Sequence, residues 1–365
     1  MRATLLLTTL ALATAAHAQW GIQDAHTTAS LRGVHSLGNG IAWASGTEGT
    51  VLRTDDNGKT WQHCATPPNA EKLDFRGIQA FDMNTAIVMS SGTGDLSRLY
   101  KTTDGCKTWK LLFTNPEKEG FFDAISAEAA DHAFVLGDSV AQKIQLWEWT
   151  ERSDPEATLY YGSHGKSDVG EGSFAASNSV LQRSLTPQID PVWKYDLRWS
   201  SGVPNHAYIS AVRIEKDACE PCRLEQIRVE VPITNANASS GIFSFLFRDE
   251  LIGVAVGGDY LKPNESAKTA ALTHDGGQHW TASTIHPHGY RSSVAYNAPT
   301  KTWITVGPNG TDVSTDDGHN WHPLNPGTGD APDADKNWNA LSLPFVVGPH
   351  GRIGILRDGV LAPHK

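Results

Sequence analysis

An octapeptide, Thr54-Asp55-Asp56-Asn57-Gly58-Lys59-Thr60-Trp61, returns three times further along the chain. The later copies run 102–109, 273–280 and 314–321. Each reads Ser/Thr, any, Asp, any, Gly, any, polar, Trp, with Cys106 in the glycine place of the second. A short Asp/Asn/Gly run between two apolar stretches is a hairpin. The aspartates (Asp56, Asp104, Asp275, Asp316) accept backbone N–H groups across the turn, and glycine supplies a positive φ. The tryptophans (Trp61, Trp109, Trp280, Trp321) cover the hairpin base with an apolar ring. Four copies with degenerate units between them specify an array in which each unit buries its face on the next. The four aspartates are therefore read as structural, with calcium ligation as the alternative.

The repeat resembles the Asp-box, or BNR, repeat of sialidase-like and sortilin-like β-propellers. Catalytic and non-catalytic members share it, so the resemblance implies an architecture rather than a reaction. Seven apolar runs ending in glycine mark a second strand per unit, at 42–46, 87–92, 134–137, 197–202, 254–257, 304–307 and 345–348. Before each comes a strand beginning near Leu31, Phe75, Phe122, Ser173, Phe243, Tyr290 and Trp338. The intervals between those starts are about 44, 47, 51, 70, 47 and 48 residues, close to the length of a four-stranded blade. The expectation is an all-β, seven-bladed propeller over 19–365, with six or eight blades as alternatives. Its fourth blade (about 171–235) is enlarged by a polar stretch, Leu181 to Asp190, and its hairpin has no octapeptide. The third is degenerate, with Glu151-Arg152-Ser153-Asp154 in place of the turn. Too few residues follow Val347 for a full blade, so Trp20-Gly21-Ile22-Gln23 is read as its outer strand, joining the chain ends and removing exposed edges.

Residues 1–18 read as an export signal: Arg2, an apolar core from Leu5 to Ala15, and Ala16-His17-Ala18 before a mature start near Gln19. This predicts a periplasmic or secreted protein. No other apolar run approaches the length that spans a bilayer. A formal net charge of −10 argues against nucleic acid or an anionic membrane as the bulk partner. In an exported chain the four cysteines are expected to pair. Cys64 follows one octapeptide and Cys106 sits in the next, a plausible bridge between adjacent units. Cys219-Glu220-Pro221-Cys222 reads as a staple across a hairpin, or alternatively as an exchangeable redox pair or part of a metal site.

Chemistry is expected at the central mouth, where the innermost strands begin. Their second positions are Arg32, Arg76, Asp123, Phe174, Ser244, Arg291 and Asn339. Units six, seven, one and two become neighbours on ring closure, so three arginines, Asn339 and Asp123 are expected in one sector. Grouped guanidinium groups suit a carboxylate or phosphate. Alternatively they are latches, satisfied by Asp123, Asp138, Asp259 and carbonyls of the same mouth. His286-Pro287-His288 reads as a loop feature rather than a metal site. No cofactor motif is present.

Leu31-Arg32-Gly33, Phe75-Arg76-Gly77, Gly257-Gly258-Asp259-Tyr260 and Gly289-Tyr290-Arg291-Ser292, with their blades, resemble exported bacterial relatives of the photosystem II stability and assembly factor family. The resemblance implies a seven-bladed scaffold that binds a protein through an arginine-bearing face; a protein or peptide partner, a monomeric state and no cofactor or metal are expected of the chain. The competing class is a sialidase-like glycoside hydrolase, which needs an arginine triad, a Tyr nucleophile activated by Glu and an Asp acid. Arg32, Arg76 and Arg291 would be the triad, with Tyr290 and Glu171 the nucleophile pair. Against it, the Arg-Ile-Pro signature is absent, and adjacent Tyr290 and Arg291 on one strand should point opposite ways.

Overall fold

The computed structural model describes residues 19–151, 159–162, 167–183, 193–215, 224–327 and 329–361. The export signal, Cys219, Cys222 and the 152–154 part of the third unit's turn lie outside the described residues. Seven four-stranded antiparallel sheets form the blades of a β-propeller. Each blade is a meander whose first strand lies against the axis. Those first strands are Leu31–Gly38, Phe75–Ala80, Phe122–Ala129, Leu181–Arg183, Ser240–Phe247, Ser293–Asn297 and Ala340–Ser342, in blades 1 to 7. Among the described residues the helical content is one 3-10 turn, Gly94–Leu96.

The seventh blade is completed by the start of the chain. Trp20–Gln23 pairs antiparallel with Ile353–Leu356, Trp20 opposite Leu356, so the start of the chain covers the edge that the end of the chain would leave open.

Apolar side chains pack between blades, because each sheet is apolar on both faces. Seven clusters of buried residues stand between successive blades, from Trp43, Val51, Phe75 and Val88 between blades 1 and 2 round to Phe345, Val347, Leu31 and Leu52 between blades 7 and 1. The octapeptide tryptophans belong to these joints rather than to the base of their own hairpins. Trp61 meets Phe345 of blade 7 edge-on, at 5.6 Å and 83°. Trp109, Trp280 and Trp321 pack likewise into the joints with blades 1, 4 and 5.

The four turns share one hydrogen-bond pattern, which explains each fixed position. In the first, Thr54 Oγ1 donates to Asp56 Oδ1 at 2.9 Å and accepts Gly58 N–H at 2.9 Å. Asp56 then takes the Thr60 N–H at 3.0 Å and its hydroxyl at 2.7 Å. Asp104 and Thr108, Asp275 and His279, and Asp316 and Asn320 repeat it. The polar seventh residue is thus the second ligand of the aspartate. Two successive residues take positive φ, 63° and 75° at Asn57 and Gly58, 71° and 63° at Gly105 and Cys106. That twist matches the flanking strands. Cys106 carries the disulfide to Cys64, joining blade 2 to blade 1.

Blade 4 departs from the expected layout. A bridge pairs Gly172 with Gly202, placing the strand start near Ser173, but the ladder then breaks. It resumes at Leu181–Arg183, opposite Leu197–Trp199. Leu181 therefore begins the innermost strand proper and is not part of an inserted polar stretch. Residues 173–180 form an insertion on the axial side, and 184–190 of the expected polar stretch lie outside the described residues.

Candidate functional site at the ring axis

Backbone pairing decides which side chains reach the axis. In blades 1, 2 and 3 the innermost strand carries a bulge at its second residue, between Leu31 and Gly33, Phe75 and Gly77, and Phe122 and Ala124. The extra residue is turned toward the axis. In blade 5 the bulge lies between Ile242 and Ser244, so Phe243, not Ser244, takes that place. In blade 6 the Arg291 N–H bonds to Gly257 O of the preceding blade, as Leu31 N–H bonds to Gly348 O. Arg291 is therefore the equivalent of Leu31, and Ser292 the equivalent of Arg32.

A cavity of about 510 Å³ opens at the axis. Arg32, Arg76, Asp123, Phe174, Phe243, Ser292 and Asn339, one from each blade, line it. Of the three arginines expected together, two arrive. Arg291 is fully buried in blade 6, which corrects its assignment to the mouth. Its Nε donates to Asp312 Oδ2 at 2.8 Å, and its Nη1 donates to Tyr290 O at 2.7 Å and Asn309 Oδ1 at 2.5 Å. His288 Nδ1 lies 2.8 Å from Asp312 Oδ1, so this histidine belongs to the same latch. Burial works against the Asp312 carboxylate, but His288 and Arg291 hold it below its ordinary range.

The acid shared by the two remaining arginines is Asp74, which no sequence motif marks. Arg76 Nε donates to Asp74 Oδ2 at 2.8 Å, and Arg32 Nε stands 4.0 Å from Asp74 Oδ1. Arg76 Nη1 also donates to Ala175 O at 3.2 Å. Arg32 Nε has no hydrogen-bond partner among the described residues, and about a third of the side chain faces solvent. Asn339 Nδ2 donates to Leu31 O at 2.8 Å, fixing the blade 7 side.

Asp123 and Asp138 are partners of each other rather than of the arginines. Burial pushes the Asp123 carboxyl well above its ordinary range, and the neighbouring Asp138 adds to this against the pull of Arg76. Burial raises Asp138 as well, although the Ser173 N–H and Asp123 bond to it. Neighbouring carboxyls so buried each disfavour the other's ionisation.

Aromatic rings form part of the same lining. Phe174 stacks on Phe243 with centroids 3.9 Å apart, and Tyr290 and Tyr260 meet Phe243 edge-on at 4.7 and 6.1 Å. Burial pushes the Tyr290 hydroxyl far above its ordinary value. Asp259 does not line the cavity. It accepts Ser239 Oγ at 2.6 Å, Asn237 Nδ2 at 3.2 Å and Leu261 N–H at 3.0 Å, and so fixes the loop that carries Tyr260.

The inserted residues 173–180 bind several blades near the axis. Asn178 Oδ1 accepts Ile125 N–H at 2.8 Å, Ser177 Oγ donates to Ser292 O at 2.8 Å, and Ser179 Oγ donates to Ser244 Oγ at 2.8 Å. Gly77 permits the approach: a Cβ there would lie 2.8 Å from Asn178 Oδ1. The Ser/Ala/Asn run from 175 to 179 was the available sign, since small polar residues suit a segment crossing a crowded axis.

Seven four-stranded sheets closed by the N-terminal strand, with a lined cavity on the axis, define a β-propeller with a candidate binding mouth. Among solved structures the chain is similar to YCF48 bound to D1 peptide, at 15% identity and TM-score 0.59 over 94% of this chain and 98% of that one. It is also similar to YCF48 from Cyanidioschyzon merolae, at 16% and 0.54 over 93% and 99%. The WD40 β-propeller domain of Doa1 matches at 9% and 0.55 over 94% and 100%. At these identities the likeness is one of fold. No protein-family model and no curated protein matches the chain.

Proposed function

We propose that this chain is an exported, monomeric, non-catalytic propeller that binds a peptide segment of a protein partner at its axial cavity, serving assembly or stability of an envelope complex. The observation that carries it is a lining that sets guanidinium groups beside aromatic rings. Arg32 and Arg76 share a single acid, Asp74, and Phe174, Phe243, Tyr260 and Tyr290 line the same cavity. Guanidinium groups with donors to spare suit a carboxylate, and an aromatic wall suits the apolar side chains beside it. The solved YCF48 structure with D1 peptide is a relative in fold that holds a peptide.

Three features weigh against the sialidase-like reading. Arg291 is committed to Asp312, and Tyr290 is held protonated by burial, the opposite of an activated nucleophile. Glu171 is engaged by Ser201 Oγ at 2.6 Å.

A display library of short peptides, selected against the mature protein, should yield acidic sequences. The Arg32→Ala/Arg76→Ala variant should bind them at least about tenfold more weakly, because each lost charge-assisted hydrogen bond is worth about 1.5–3 kcal/mol. Undiminished binding would remove the proposal. Recovery of the chain from the envelope fraction with Gln19 at its N-terminus tests export.

A further inference from the structure

The axial cavity continues outward on one side. A second hollow of about 320 Å³ lies between blades 4 and 5, and Ser173, Phe174 and Ala238 line both spaces. Val169, Val203, Pro204 and Ile242 give the trough apolar walls. Val169 on its rim is 79% exposed, and beside the axial cavity Leu261, next to the lining residue Tyr260, is 70% exposed. Single exposed apolar residues need no explanation, but two large ones beside connected hollows suit a contact surface.

The trough is fixed before any ligand arrives. Asn235 Nδ2 donates to Val203 O at 2.7 Å and to His206 O at 2.6 Å, tying blade 4 to the following loop. Asp259 holds the segment on either side of Ala238 through Asn237 and Ser239, and the start of the Leu261 loop through its N–H. One carboxylate therefore positions both the junction of the two spaces and the loop that carries Tyr260 and Leu261.

In a ring of seven, the joint of blades 4 and 5 lies across the axis from blade 1, which carries Arg32, and Arg76 of blade 2 reaches the inserted segment beside Phe174 by donating to Ala175 O at 3.2 Å. The geometry points to one occupant for both spaces: an extended segment of the partner, with an acidic group at the arginines and apolar side chains leaving through the trough between blades 4 and 5. This inference rests on the peptide-binding reading above and adds the direction of the bound chain and the chemistry of its second half. An extended chain presents alternate side chains to one surface, so apolar residues are required at every second place.

The test uses fluorescein-labelled peptides and anisotropy with the full mature chain. One probe carries Asp followed by Leu-Ala-Leu-Ala, a second carries Ser in place of Leu, and both are also made in reversed order and with amidated C-termini. In at least one order the leucine probe should bind about tenfold more tightly than its serine counterpart. Ala238→Trp, at the exposed junction, and Val169→Asp, at the exposed edge, should each erase that advantage without lowering the melting temperature. Arg32→Ala/Arg76→Ala should weaken both probes. Loss on amidation alone assigns the acidic group to a chain terminus; retention assigns it to a side chain. Equal binding of leucine and serine probes, or an advantage that survives Ala238→Trp, overturns the trough while leaving the arginine wall standing. Failure of every probe to bind the unaltered protein overturns both.

Discussion

Arg291 Nε donates to Asp312 Oδ2 at 2.8 Å, and neither side chain reaches solvent. Burying one charge alone is far more costly than burying the pair. Arg291→Ala should therefore cost about 3–5 kcal/mol in urea unfolding, whereas the joint change Arg291→Met/Asp312→Leu should recover much of it. Peptide binding by the folded fraction should be unaffected in both. A selective loss of binding with unchanged stability would return Arg291 to the mouth.

Two sets of carboxyls should respond to pH in opposite senses. The Thr60 N–H, followed by its hydroxyl, holds Asp56 down at about 2, and the Thr108 hydroxyl and N–H hold Asp104 at about 2. These groups are depressed relative to the unfolded chain, so their contribution is present above about pH 4 and is lost as the pH falls toward 2. Asp123 is raised, by burial first and then by Asp138. Its contribution is present at low pH and is lost as the pH rises through the raised value. Asp123→Asn, which stays neutral, should be more stable than the unaltered protein at pH 8, and the gap should close by pH 4. Asp56→Asn should be less stable at pH 7, and its deficit should shrink toward pH 2. Urea midpoints across this range decide both.

The disulfide offers a test of how the repeat was adapted. Cys64 and Cys106 are 42 residues apart in sequence, so loss of the bridge should cost about 2–4 kcal/mol. Cys106 has φ 63° where the other copies have glycine. The pair Cys64→Ser/Cys106→Gly should therefore be about 1 kcal/mol more stable than Cys64→Ser/Cys106→Ala, because only glycine takes that conformation freely. Equal stability in chemical denaturation would show that the positive φ at position 106 costs a side chain nothing.

Much of this architecture could be read from residue pattern alone, and the failures share a physical cause. Second strands such as Ile87 to Met89 and Val254 to Val256 are continuous apolar runs because they are buried on both faces, so composition marks them. The innermost strands obey a period of two, in which a one-residue slip exchanges axis for interior. A bulge adds one residue to that count, and bulges become visible only when the partner strand is known. A start taken one residue late in blade 5 puts Ser244 where Phe243 stands, and one taken one residue early in blade 6 puts Arg291 where Ser292 stands, while Arg32, Arg76, Asp123 and Asn339 do line the cavity. Asp74 lies before its strand in a loop, where no periodicity applies. The 173–180 insertion was hidden for a related reason: its chain is held by individual hydrogen bonds to blades 2, 3, 5 and 6, not by a ladder.

The closure of the ring depends on four residues that are far in sequence from everything they touch. Trp20–Gln23 covers the edge of Ile353–Leu356, and Trp20 is 1% exposed, packed at 6.0 Å from Trp338. Its Nε1 also donates to Thr311 Oγ1 of blade 6 at 3.3 Å, so one side chain ties the first strand to two blades. Trp20→Ala should cost about 3–5 kcal/mol through the cavity it leaves. Removal of 19–23 should do more, because it exposes a paired edge as well as a core face. The truncated chain should show a lower melting temperature and concentration-dependent association in light scattering. A synthetic peptide of residues 19–27 added in trans should partly reverse both, since the vacated edge selects its own strand. If the truncated chain stays monomeric with an unchanged melting temperature, the last blade holds itself with three strands and ring closure by the N-terminus is incidental to stability.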